Sequence, residues 1–269
     1  MVVPLVRGAG LSLTDTLLIN PSGGNNVGLD NYRTLLGSDA FRNSLWATAL
    51  YTAVTVVFSV GLGTVAAVAI NRQFGGRAIA RSVMTFPWAV PTVAAALIFS
   101  WIYNQQSGVL NDATGVLGLG QRGWLSDPRY GMFSVLLATV WKVFPLVMLV
   151  VLASLQSVPD ELYEATRIDG ADAMSTFRAV VLPHLMPTIR VVSLLMTIWS
   201  IRRFEIIYLL TGGGPLDRTN TLVINIYRRA FSSEELGIAA ATGILGLIIS
   251  MLVTVVFFAV ERHHEIQEG

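Results

Sequence analysis

The sequence predicts an all-α, polytopic membrane protein, and three observations lead there. Of 269 residues, 53% are hydrophobic and 13% charged, whereas soluble domains carry about a quarter charged residues. Mean hydropathy is +0.62. The apolar residues gather into charge-poor runs long enough for a bilayer core, which takes about 20 helical residues. The most charged stretch, residues 159–182, sits between two such runs and holds Asp160, Glu161, Glu164, Asp169 and Asp172 with Arg167 and Arg178. A charge at the bilayer centre costs about 2.5–3.5 kcal/mol on insertion scales, so this segment has to leave the lipid.

Along the chain, Met1 to Ile19 is mildly apolar but broken by Pro4, Arg7, Gly8, Gly10 and Asp15. It is too interrupted for a span and lacks the apolar core of a secretory signal. Residues 21–26 are a turn-rich loop, and 28–39 a short polar segment. Five spans are predicted. The first is Ser44 to Ile70, whose Gly61 and Gly63 would allow close helix contact. A basic loop, 71–81, leads to the second, Ser82 to Tyr103, kinked by Pro87 and Pro91. A polar excursion, 104–130, carries Trp124 as an interfacial anchor. The third span, Gly131 to Val158, has Lys142 near its middle and Pro145 beyond it. Pro187 to Tyr208–Leu210 is the fourth, with Arg190 near one end and Arg202, Arg203 and Glu205 near the other. After a glycine-rich turn at 211–215 and a short helix from Leu222 to Phe231 comes the fifth, Leu236 to Val260, with a polar tail.

The charged insert reads as two short helices. Pro159, Asp160 and Glu161 suit a first helical turn. Asp169-Gly170 supplies a stop, because glycine tolerates the left-handed conformation at a helix end. Met174, Phe177, Val180 and Val181 then repeat at helical spacing and end before Pro183.

Glu164-Ala165-Thr166, Asp169-Gly170-Ala171, Phe177 and Leu182-Pro183 closely resemble the EAA loop of permease subunits of ABC-type importers. Thr166 stands where that family usually has alanine. Further likeness lies in Gly28-Leu-Asp-Asn-Tyr32, Phe86-Pro-Trp-Ala-Val-Pro91, Trp124-Leu-Ser-Asp-Pro128, Leu155-Gln-Ser-Val-Pro159, Phe204 to Pro215 and Tyr227 to Phe231. These are similar to the carbohydrate-uptake branch, the maltose-type permeases, over roughly residues 28–260.

The resemblance implies a type I ABC importer transmembrane domain with five transmembrane helices plus the remnant of a first. Residues 1–40 would be that remnant and an extracytoplasmic segment, 41–260 the permease domain with a cytoplasmic coupling loop at 159–182, and 261–269 a cytoplasmic tail. The cytoplasmic side is taken from the resemblance, since arginine counts alone do not decide orientation. A start outside the membrane predicts a longer native reading frame. The protein would sit in a bacterial or archaeal inner membrane as the permease of an ATP-driven sugar importer. Its partners would be a second permease, an ATPase dimer that holds ATP and Mg, and an extracytoplasmic solute-binding protein.

For the coupling role the resemblance marks Glu161, Glu164, Ala165, Asp169, Gly170, Ala171, Leu182 and Pro183. For the sugar path it marks Lys142, Ser200 and Arg203, with Glu205 and Tyr208 on the same stretch. Lys142 lies about 17 Å into its span at 1.5 Å per residue, near the midplane. These cations keep an acidic or phosphorylated sugar open beside a neutral one. The competing account makes Arg202, Arg203 and Glu205 an ion-pair network locking helices together.

Other chemistry fails on the residues. A net charge of +1 gives no electrostatic case for nucleic acid. The lack of cysteine excludes disulfides and thiolate sites. Gly212-Gly-Gly-Pro215 lacks the lysine and hydroxyl of a phosphate loop. His184, His263 and His264 do not make a metal set. The chain is therefore expected to be a transport subunit without catalysis of its own. The alternatives are an ion-coupled secondary transporter, a membrane scaffold, and, for the insert alone, an amphipathic helix on the membrane surface.

Overall fold

The computed structural model describes residues 2–72 and 74–268, without the side chains of Asp160, Arg167 and residues 260–268. The charges expected in the 261–269 tail, its two histidines, and Arg167 lie outside the described side chains. Among the described residues the fold is helical: α1 Val2–Leu11, α2 Asp30–Gly37, α3 Asp39–Asn71, α4 Arg77–Ala89, α5 Thr92–Ile102, α6 Val109–Val116, α7 Gly131–Leu155, α8 Asp160–Ile168, α9 Ala173–Thr176, α10 Leu182–Ile201, α11 Glu205–Thr211, α12 Leu222–Tyr227 and α13 Leu236–Glu268. Among the described residues four helical stretches are long and apolar enough to cross a membrane, or five if the bent pair α4–α5 counts as one span.

The axis of the bundle is α7, which buries 67% of its most apolar stretch while the other long helices bury 11–28% of theirs. Their remaining faces are apolar and exposed, as a lipid-facing surface requires. Ala66, Ala67 and Ile70 of α3, Val147, Met148 and Val151 of α7, and Leu185, Val192 and Met196 of α10 form one core. Gly63 makes the α3–α7 approach close: a Cβ there would lie 2.6 Å from Val147 Cβ. Gly61, the other glycine expected to serve contact, faces open space. A second core joins Tyr51, Phe99, Trp124, Val135, Ile206 and Ile224. Tyr51 Oη is 2.9 Å from Thr139 Oγ1 inside it.

The structure corrects several boundaries. The second span is broken, α4 and α5 meeting at 95° rather than at a kink. Val90 before Pro91 is extended, at φ −65° and ψ 130°, because the following ring excludes the helical conformation there. The fourth span starts far earlier than Pro187: Ala173–Ile201 is one helical stretch of 29 residues. The second coupling helix therefore does not stop before Pro183. A π turn over Phe177–Val181, with the Leu182 N–H bonded to Phe177 O, carries it through. A proline lacks a donor and crowds the carbonyl four residues back, and the wider turn accommodates both defects. At its far end the span stops at Ile201, and residues 202–204 separate it from α11.

Two further expectations change. Trp124 is not a lipid-interface anchor. It is only 8% exposed, and its Nε1 donates to Asn111 Oδ1 at 2.9 Å. A buried indole needs an acceptor, and Asn111 supplies one while also donating to the carbonyls of Gln105 and Arg122. The polar excursion is thus a folded cap built on α6. At the amino end, α1 is helical, and the loop after it is stitched to α13 by Leu18 N–H to Glu234 O (2.7 Å) and Gly237 N–H to Thr16 O (3.0 Å).

Candidate functional site

Two helix breaks line one cavity together with Lys142 of α7. The first follows α4, whose last carbonyls have no partner inside the helix. Lys142 of α7 fills that gap: its ammonium donates to Trp88 O at 3.0 Å, to Pro87 O at 3.4 Å, and to Val90 O. A cation at the negative end of a helix is also favoured by the helix dipole. Lys142 is 6% exposed, and its Nζ lies 5.5 Å from the centroid of the Trp88 ring. The second break is 202–204, between α10 and α11. Trp199 brings its ring parallel to Trp88, with centroids 6.1 Å apart and planes 4° apart.

Between the breaks lies a cavity of about 680 Å³, lined by Trp88–Thr92, Lys142, Trp199 and Arg202–Glu205. Lys142, Arg203 and Glu205, expected together, are brought together here. Ser200 and Tyr208 are not. Ser200 is buried with its Oγ unpartnered and does not line this cavity. Tyr208 belongs to an aromatic group with Phe204 and Tyr227, at centroid distances of 4.9 and 4.8 Å, and lines a separate cavity of about 360 Å³ beside Tyr103 and Trp124. The ion-pair network of Arg202, Arg203 and Glu205 is not formed: ion pairs among the described residues lie elsewhere, as in Arg229–Glu235 at 2.8 Å. Arg203 Nε is buried and without a partner.

The coupling segment forms at the opposite end of α10. After α8, Gly170 sits at φ +70° with open space around it. That conformation favours glycine, and it turns the chain so that Ala171 N–H reaches Thr166 O at 2.9 Å. Asp172 then caps α9, accepting from Ser175 N–H at 2.8 Å, and the Ser175 hydroxyl, with that N–H after it, holds its carboxyl below the usual carboxylate range. Glu161, Glu164, Ala165 and Asp169 are exposed, with Leu162, Ile168 and Met174 as exposed apolar neighbours. Leu182, half-buried, and Pro183, exposed, open α10. Thr166 is more than a small residue, since its hydroxyl donates to Tyr163 O and accepts from Thr176 Oγ1 at 3.3 Å, tying α8 to α9.

Sequence reasoning passed over Trp88, Trp199 and Arg202 as cavity residues. The signal lay in indoles adjoining Pro87 and the charged 202–205 cluster, but only the fold shows that they meet.

Comparison with known proteins agrees with this architecture. A family model described as binding-protein-dependent transport system inner membrane component matches residues 59–265. The trehalose/maltose transport system permease protein of Thermococcus litoralis is 36% identical, over 88% of this chain and 80% of its own length. The sulfoquinovosyl glycerol transport system permease protein of Agrobacterium fabrum is 34% identical, over 88% and 77%. A solved bacterial ABC transporter involved in the import of the acidic polysaccharide alginate superposes with a TM-score of 0.86, covering 98% of this chain and 90% of that one, at 22% identity. That likeness concerns the fold. Family and fold together decide against the ion-coupled alternative, and the chain belongs to the inner-membrane permease components of binding-protein-dependent ABC transport systems: a multi-pass transport subunit, not an enzyme.

Proposed function

We propose that this chain carries a sugar through the cavity between its two helix breaks, driven by ATP bound with Mg and hydrolysed on a separate ATPase dimer. A second permease subunit completes the path, and an extracytoplasmic binding protein delivers the sugar. The observation that carries the reading is the helical stretch Ala173–Ile201. It begins at the Gly170 turn beside the exposed acidic face of α8 and ends at Trp199 and the 202–204 break. At 1.5 Å per residue it spans about 43 Å, so one rigid body joins the coupling surface to the cavity wall. Movement of α8 and α9 in an ATPase groove would tilt α10 and change the cavity, which is alternating access.

The relatives named for trehalose/maltose and for sulfoquinovosyl glycerol support sugar as the cargo class. Trp88 and Trp199 offer apolar faces to a sugar ring, and Arg203 and Glu205 offer polar groups to its substituents.

The test is Glu164→Lys and Gly170→Asp in the complete importer. Both variants are expected to assemble in the membrane with ATP hydrolysis no longer linked to sugar uptake. Normal uptake in both would overturn the coupling assignment.

A further inference from the structure

We propose that this cavity selects sugars bearing an anionic group (a uronate carboxylate, a sulfonate or a phosphate ester) over neutral sugars of the same size. The inference rests on the sugar path proposed above and goes on to name the class of cargo.

The lining holds three cations, Lys142, Arg202 and Arg203, against one carboxylate, Glu205. None of the four forms an ion pair among the described residues. Lys142 has its donors on three backbone carbonyls, but carbonyls satisfy hydrogen bonds without cancelling charge. Arg203 is placed to act on a ligand, being partly exposed in the cavity with a buried Nε that lacks any acceptor. Arg202 is exposed in the same lining.

Positive charge in a cleft with low-dielectric walls focuses the field and concentrates anions there. A guanidinium also matches carboxylate, sulfonate or phosphate with two parallel hydrogen bonds, which a hydroxyl cannot reproduce. A neutral sugar would leave that charge unbalanced once the cavity closed and water left, which is costly. An acidic sugar can place its ring against Trp88 or Trp199 and its anion toward Arg203, so both features are used at once.

The chain has no cysteine, so one introduced thiol, followed by the label on this subunit alone, reports on the cavity. Ala89 lies in the lining and its side chain is exposed. The Ala89→Cys protein is assembled with its partner subunits in nanodiscs and alkylated by the neutral reagent N-ethylmaleimide, with digalacturonate or maltose added. Digalacturonate is expected to slow alkylation at a concentration about tenfold lower than maltose, within the range of electrostatic focusing. Arg203→Gln is expected to remove that advantage while the complex still elutes intact. Should that variant fail to assemble, Arg202→Gln makes the same comparison from an exposed position.

Equal or better protection by maltose overturns the acidic class and leaves the path standing. Protection by neither sugar overturns class and path together. A digalacturonate advantage that survives both arginine substitutions removes the guanidinium assignment.

Discussion

Lys142 Nζ donates to the carbonyl of Trp88 at 3.0 Å across the break that ends α4. The bond makes the lysine a brace for the break between α4 and α5, whose residues Trp88–Thr92 form part of the cavity wall. It also explains how the chain's only lysine is accommodated deep in an apolar span. A buried ammonium is tolerated where its three donors are satisfied, and the broken helix presents three unpaired carbonyls.

Replacing Lys142 by methionine keeps the length of the side chain and removes the donors. Losing buried hydrogen bonds to a charged group costs about 1.5–3 kcal/mol each at most, offset by relief of the buried charge. The expected result is a lower melting temperature of the assembled complex and a changed apparent KM for sugar, because the wall carrying Trp88 loosens. Unchanged melting and uptake would refute the brace.

Gly63 and Gly61 give a paired test of helix approach. Gly63→Leu must displace α7 at Val147 and Met148, whereas Gly61→Leu meets nothing within 4 Å. Overpacking costs about 1–3 kcal/mol, so Gly63→Leu is expected to lower the yield of folded protein and Gly61→Leu to leave it alone. Equal yields of both variants from detergent extracts would contradict the α3–α7 contact.

Asn111 holds the 104–130 cap together, receiving Trp124 Nε1–H and Arg122 N–H, each at 2.9 Å. Asn111→Ala strands a buried indole donor, which costs about 1–3 kcal/mol. Limited proteolysis is expected to cut this segment faster in the variant while the spans stay intact. Wild-type cleavage rates would disprove the hub.

Asp172 and Ser175 set the start of α9. Because the folded-state carboxyl titrates below its ordinary value of about 3.9, the cap's contribution is full above that pH. It is lost as pH falls through the depressed folded value. Asp172→Ala is therefore expected to lower the protection of the Ser175 amide, its exchange rate relative to the unstructured rate at the same pH, and acid is expected to lower that protection in the unaltered protein. Protection that is the same in both proteins at neutral pH would exclude the cap.

Some of this protein was written in local chemistry. The apolar runs of α3, α7 and α13 announce membrane spans because burial in lipid depends on composition along one helix. Gly170 announces its turn because the left-handed conformation is a property of one residue. Other features were not legible. Periodicity carried the fourth span past residue 201, since α10 and α11 are both apolar and the break between them leaves the pattern intact. Pro183 was read as a stop because a proline's defect is local, while the π turn that accommodates it is a matter of the whole helix.

The sequence by itself determined the fold class, the spans built on α3, α7 and α13, and the charged insert, because solvent preference and backbone propensity act on neighbours in the chain. Only the tertiary structure decided that Lys142 caps the broken end of α4, that Trp124 is core, and that Ser200 and Tyr208 lie outside the cavity holding Arg203. Those outcomes turn on which carbonyl, indole or guanidinium arrives opposite from residues tens of positions away, and such meetings are fixed by packing around α7.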